Sequence, residues 1–360
     1  MNIFNFWSIL KKLSFCILIS ITLPSCTQKN KIPIDQRSSQ ELMIIEKLKS
    51  IFSVPHDQKV KIKKITEGRS DSAIYKAFLN EKNYIVRMLS PERALNERKW
   101  EVELVQKTAD KNISPHVYYV SPDYQMIIMD CIDGEKFYGS IARNPLLLKS
   151  LAQKLRILHS MPVSPLMPKI STLEKNFFVK TEAVEYQEVL KTFRSLEKEF
   201  LENSNLAITH TDVHPGNLIA DQKNVWIIDW QDAGLYGPLF DLARFASIFK
   251  LPIKDEDFFI KAYFGREMSS KEKINYLRAK KMAYIRNIDT LISLYIKNID
   301  KKDLVVKQLF IDSKKDFSLE EKLIIKSILN SNFNEIMDKI LNPHNLKILI
   351  LYLIKNYQKL

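Results

Sequence analysis

Glycine is scarce in this chain, seven in 360 residues. That suits a largely helical C-terminal half, and the turn at 67–71 holds a single glycine, Gly68, so a Gly-rich phosphate loop is excluded there. Cysteine is nearly absent: two of three lie within the first 26 residues, leaving Cys131 alone in the body, where no intrachain disulfide can form. Long apolar runs are missing too. The run at 13–23 is short for a membrane span. The net charge of +13 arises from lysines scattered along the chain, with no basic cluster interleaved with aromatics, so a nucleic-acid partner is not expected. There are no internal repeats. What remains is 46% hydrophobic residues over 360 positions, enough to bury a sizeable globular core.

The informative stretch is 208–244. His210-x-Asp212 is followed by Asn217, and then the apolar run from Val225 ends in Asp229. Phosphoryl transfer requires a carboxylate to orient an acceptor hydroxyl and oxygen ligands to hold magnesium on phosphates, and Asp212, Asn217 and Asp229 are residues of that kind. Mg²⁺ prefers a few hard oxygen ligands and keeps waters, so one Asn carbonyl and one Asp carboxylate suffice. Residues 218–220 and 225–228 are predicted to form a hairpin with its turn at 221–224, placing Asn217 and Asp229 at one open end. A lone His-x-Asp-x-x-x-x-Asn arises by chance at an appreciable rate. Here it is joined by the strand ending in Asp and by Gly237-Pro238-x-x-Asp241. His214, before Pro215 and Gly216, fits either a phosphate contact or a loop cap.

On these motifs the chain resembles the aminoglycoside phosphotransferase and choline kinase family, which shares the protein-kinase-like fold. The resemblance implies an α+β, two-lobed protein-kinase-like fold with a small antiparallel β lobe and a larger, mainly α-helical lobe. It also implies ATP and Mg²⁺ as cofactors, Asp212 as catalytic base, Asn217 and Asp229 as metal ligands, and His210 and Asp241 as braces of the catalytic loop.

A β-rich lobe is expected upstream. Residues 60–66, 72–79 and 83–89 read as three strands, joined by turns at 67–71 and 80–82. Gly68 and Ser70 of the first turn are the expected phosphate contacts. Arg87, on the third strand, stands where protein kinases carry a lysine, and its guanidinium keeps its charge and offers two parallel donors. Its carboxylate partner should be Glu101 on the following helix, with Glu97 one turn earlier as the rival. Residues 125–130 lead into a hinge containing Cys131 and Ile132, where backbone groups would bind adenine between Ile85, Ile219 and Ile228. Each of those aliphatics also fits ordinary core packing.

The expected organisation is a signal-like or anchor segment at 1–26, a linker and leading helix at 27–45, a nucleotide-binding lobe at 46–130, a catalytic and substrate lobe at 131–300 and a helical extension at 301–360. Leu147, Leu151, Leu155 and Leu158 form a helical stripe ending at His159, a buried or capping histidine. Ile274, Leu277, Ile285, Ile288, Ile292 and Tyr295 form another, Ser318 and Glu321 a capping box, and Asn342-Pro343 a break.

The N-terminus, with Lys11-Lys12, the apolar run and Leu23-Pro24-Ser25-Cys26, looks like a lipoprotein signal. An exported lipoprotein, an uncleaved anchor with the enzyme facing the cytoplasm, and a start at Met43 are the three readings. ATP is a cytoplasmic reagent, so a cytoplasm-facing enzyme is expected, with export not excluded. The acceptor class implied by the resemblance is a small hydroxyl compound with a cationic nitrogen, a choline- or ethanolamine-type amino alcohol ahead of thiamine or an aminoglycoside. Trp230, Asp232 and Tyr236 would line its pocket, the rings as an aromatic cage. A non-catalytic, lipid-anchored binding protein on the same fold is the rival from another class. Oligomeric state is not readable.

Overall fold

The computed structural model describes residues 38–65, 72–137, 141–165, 167–170, 178–249, 251–297, 299, 301–330, 339 and 342–357. The N-terminal segment, Gly68 and Ser70 lie outside the described residues. The chain divides into two compact units, one from Met1–Glu135 with Trp226–Gln231, the other from Lys136–Val225 with Asp232–Leu360.

The first unit is built on an antiparallel sheet of order β1-β2-β3-β5-β4, with β1 Lys61–Ile65, β2 Ala73–Leu79, β3 Lys82–Met88, β4 Val117–Val120 and β5 Met126–Asp130. Asn80 and Glu81 both take positive φ, the backbone that lets a two-residue turn close β2 onto β3. Alternation then sorts the faces. Tyr75, Ala77, Leu79, Tyr84 and Val86 pack under helix α1, Ser39–Ile51, through Ile44, Ile45 and Leu48. Arg87, between Val86 and Met88, therefore points to the other face, where it sits opposite Ile127 in the register. Ile127 packs against Val102 of helix α2, Leu95–Asp110. That places a charged strand residue and a charged helix residue on the same side of the sheet.

The second unit is mainly helical. Helix α3, Pro145–His159, begins at an Asn144 cap and buries Leu147, Leu151, Leu155 and Leu158. Helices α4 Val184–Glu202, α5 Leu239–Phe249 and α6 Ile253–Phe264 follow, α5 and α4 packing on α7, Ser270–Ile296, and α6 on α3. α7 starts with a capping box between Ser269 and Glu272. Its buried face differs from the expected stripe: Ile274 and Leu277 are exposed, and Asn275, Tyr276, Ala279, Met282 and Ala283 face inward. The cause is Asn275, whose amide donates to the carbonyls of Phe200 and Asn203 at 3.2 Å each and to Ser204 Oγ at 2.9 Å, capping the C-terminus of α4. Helices α8 Lys302–Asp312, α9 Leu319–Asn330 and α10 Pro343–Tyr357 complete the unit. Ser318 and Glu321 form the capping box of α9, and Asn342 caps α10 rather than merely breaking the chain. Among the described residues, no helix is long and apolar enough to cross a membrane.

Candidate active site

The loop carrying Asp212 is held in a conformation its sequence does not favour. With β6 the two-residue strand Glu135–Lys136, the loop leaves the next short strand, β7, Ala207–Thr209, which pairs with β10, Gly234–Tyr236. Thr211 then takes φ +64, an unfavourable region for a β-branched residue. The strain is held by Asp241, a fully buried carboxylate that accepts the N–H groups of His210 at 2.8 Å and Thr211 at 2.7 Å. The Thr211 hydroxyl adds a bond to the Asp232 carbonyl at 2.8 Å. Asp241 is fixed in turn by His159, whose Nε2 lies 3.1 Å away and whose Nδ1 meets the Tyr263 hydroxyl at 2.8 Å. Gly237 permits the tight approach that starts α5, since a Cβ there would lie 2.4 Å from the Phe200 ring. His210 is fully buried, its Nδ1 accepting the Asp212 N–H at 3.3 Å. It shapes the loop and does not face solvent.

Asp212 is a quarter exposed. His214 Nδ1 accepts the Gly216 N–H at 3.0 Å, which leaves Nε2 to donate to Asp212 Oδ2 at 3.1 Å. Arg244 Nη2 lies 3.4 Å from Oδ1. Burial alone would raise the Asp212 pKa, but His214 and the charges of Arg244 and Arg286 outweigh it and hold the carboxyl well below the usual range. Arg286, on α7, is itself pushed down to about 10 by burial and by the like charge of Arg244, against the pull of Asp212, Asp289 and Asp232. Asn217 donates its amide N–H to the Asp212 carbonyl at 3.1 Å and carboxylate at 3.4 Å, so its own oxygen is the atom left to ligate. It is followed by strand β8, Leu218–Ala220, and a turn in which Asp221 Oδ1 accepts the N–H groups of Lys223 and Asn224 at 2.7 Å each. Strand β9, Val225–Ile227, returns from it.

In the first unit, Arg87 joins two carboxylates. Its Nη1 is 2.8 Å from Glu101 Oε1, and its Nη2 is 3.3 Å from Asp229 Oδ1. Glu101, not Glu97, is the helix partner, fully buried and also bound by Arg93 at 2.6 Å. Asp229 takes φ +66 just past β9 and is about one-third exposed. Ile85, Cys131, Ile132 and Ile228 are partly buried in this unit, and Ile219 is buried in the other.

Two expected substrate contacts are located elsewhere. Trp230 is 1% exposed and donates its indole N–H to Ser114 Oγ at 2.8 Å, and Tyr236 is fully buried and donates to Glu197 at 2.6 Å. Both rings belong to the core, so they form no cage. Asp232 stays half-buried, within electrostatic reach of Arg286. Arg244, Arg286 and Arg93 were not singled out from the sequence: an arginine on a helix or in a loop carries no spacing signal until the fold shows what it meets.

The structure is similar to a choline/ethanolamine kinase family protein from Mesorhizobium loti, with a TM-score of 0.53, 18% identity, and 87% of this chain and 99% of that chain covered. It is similar to the Plasmodium vivax ethanolamine kinase, with a TM-score of 0.51, 16% identity, and coverage of 76% and 90%. It is also similar to the amicoumacin kinase hAmiN in complex with AMP-PNP, Ca²⁺ and Ami, with a TM-score of 0.56, 13% identity, and coverage of 76% and 92%. At these identities the likeness is one of fold, α+β with an antiparallel N-terminal lobe and a helical C-terminal lobe. No curated protein matches the chain in sequence. The sequence profile of the phosphotransferase enzyme family matches residues 61–271, which run from β1 through the Asp212 loop to the start of α7, and the chain belongs to that family.

Proposed function

We propose that this small-molecule kinase moves the γ-phosphate of ATP to the hydroxyl of an ethanolamine- or choline-type amino alcohol. The observation that carries the reading is the Asp212 loop: a partly exposed carboxylate kept ionised by His214 and Arg244 and braced through its backbone by His210 and Asp241. Such a carboxylate accepts the hydroxyl proton and aims the oxygen at phosphorus. Arg87, steadied by Glu101, would contact the α- and β-phosphates. Adenine would lie against Ile85 and Ile228 and bond the backbone at Cys131 and Ile132, all in the first unit.

The donor atoms suit Mg²⁺. Asn217 in the second unit keeps a carbonyl oxygen and Asp229 in the first a carboxylate, each a hard donor of the kind Mg²⁺ takes beside its waters. Bound there, it would offset the phosphate charge.

With Trp230 and Tyr236 in the core, recognition of the acceptor nitrogen falls to carboxylates, Asp232 first. A primary ammonium donates hydrogen bonds to a carboxylate and a trimethylammonium cannot, so ethanolamine ranks above choline. Dependence on ATP supports an enzyme facing the cytoplasm, free or anchored. The test is ADP release by the full chain with Mg·ATP and, separately, ethanolamine, choline, thiamine and an aminoglycoside. Stimulation by ethanolamine above choline is expected. Stimulation by the aminoglycoside alone would replace the substrate assignment and leave the kinase reading standing.

A further inference from the structure

Glu101 divides its carboxylate between two arginines. Oε1 lies 2.8 Å from Arg87 Nη1 and Oε2 lies 2.6 Å from Arg93 Nη1, and the carboxylate itself is fully buried. Pairing the strand cation needs only one of those oxygens. The second arginine comes from the segment between β3 and α2, with its side chain 17% exposed and its backbone N–H bonded to the Ser90 carbonyl at 3.3 Å.

Two features give this contact a purpose. The N-cap residue of helix α2, Ala94, supplies no side-chain cap, so the Arg93–Glu101 bond is a side-chain tie between the approach to α2 and its second turn. Glu101 also carries one negative charge against two guanidinium groups, while Arg87 leans on a second carboxylate, Asp229, at 3.3 Å. The four groups sum to zero only while Asp229 is counted. Once Asp229 is committed to a metal, the remaining three carry an excess positive charge, which Arg87 presents on the face of the sheet toward α2.

We infer that Arg93 is a positioning residue for nucleotide phosphates: it clamps Glu101 so that only Oε1 faces Arg87, and by sharing that carboxylate it leaves Arg87 with charge to give to the α- and β-phosphates. The inference rests on the reading of this unit as the nucleotide side. Arg93 acts through Glu101 and Arg87, which makes its effect conditional on Arg87.

The experiment is calorimetric titration of Mg·ADP into the full chain, with no acceptor present, for wild type, Arg93→Met, Arg87→Met and the double variant, each with its thermal midpoint. Arg93→Met should weaken Mg·ADP by about tenfold, the size of coupling expected within one charged network, and the loss should shrink to near nothing in the Arg87→Met background. Arg93→Lys keeps a cation on Glu101 and should recover part of the affinity, which serves if the Met variant does not fold. Wild-type affinity in Arg93→Met, or an equal loss with and without Arg87, would overturn the positioning role. A wild-type chain that does not bind Mg·ADP would instead overturn the nucleotide reading, and with it this inference.

Discussion

Asp289 is the residue whose ionisation works against the fold. It sits on α7, 1% exposed, accepting from the Tyr186 hydroxyl and from the Val179 N–H, the latter at 2.8 Å. Burial pushes its pKa up to about 6, although Tyr186, Val179 and Arg286 pull the other way. A carboxyl raised in the folded state binds more protons there than in the unfolded chain between about pH 4 and 6. Stability attributable to it is therefore highest below that window and falls as pH rises through it, by at most ~3 kcal/mol at 1.36 kcal/mol per unit. Asp289→Asn keeps both acceptor bonds and removes the charge. Its thermal midpoint should equal or fall below wild type at pH 4 and exceed it at pH 7; parallel curves across that range would contradict the burial argument. At the same scale Asp241 is a buried carboxylate that accepts two backbone N–H groups and meets His159, and these bonds hold Thr211 in a backbone region that costs about 1–3 kcal/mol.

Among the elements, α7 shows most clearly where sequence reading succeeds and where it stops. Its length and capping box follow from local chemistry, but its buried face is decided by Asn275, which the apolar stripe leaves out. Replacing Asn275 with Ala should leave the Phe200 and Asn203 carbonyls without that partner and cost about 1–3 kcal/mol, read as a lowered denaturant midpoint with unchanged slope. No change would mean water caps α4 equally well. Strands β1, β2, β3 and β5 were legible because their burial or turn residues punctuate them. β4 was not, since Val117, Tyr118, Tyr119 and Val120 are all half-buried and show no alternation. The Asp212 loop stood out in the sequence because the proposed phosphoryl transfer asks for a carboxylate and an amide at fixed spacing. The aromatic cage failed because nearness in sequence to Asp229 says nothing of which way Trp230 turns, and the Ser114 hydroxyl turns it inward. Arg93 and Arg244 became visible only through their partners, Glu101 and Asp212.

For the molecule as a whole, family membership accounts for residues 61–271, and the helices beyond 300 add to the second unit. Asp303 of α8 accepts from Thr181 Oγ1 at 2.5 Å and from the Glu182 N–H at 2.9 Å, and α10 packs on α7, so the extension is tied to the segment leading into α4 and to the helix bearing Arg286. On the proposed function, this scaffold presents Asp212 to an acceptor hydroxyl. The most direct measurement compares wild type with Asp212→Asn for acceptor-stimulated turnover and, on the same preparations, for Mg·ADP affinity. Turnover in the variant should fall by about two to four orders of magnitude while the affinity stays within about threefold of wild type. Turnover retained in Asp212→Asn would rule out Asp212 as the base.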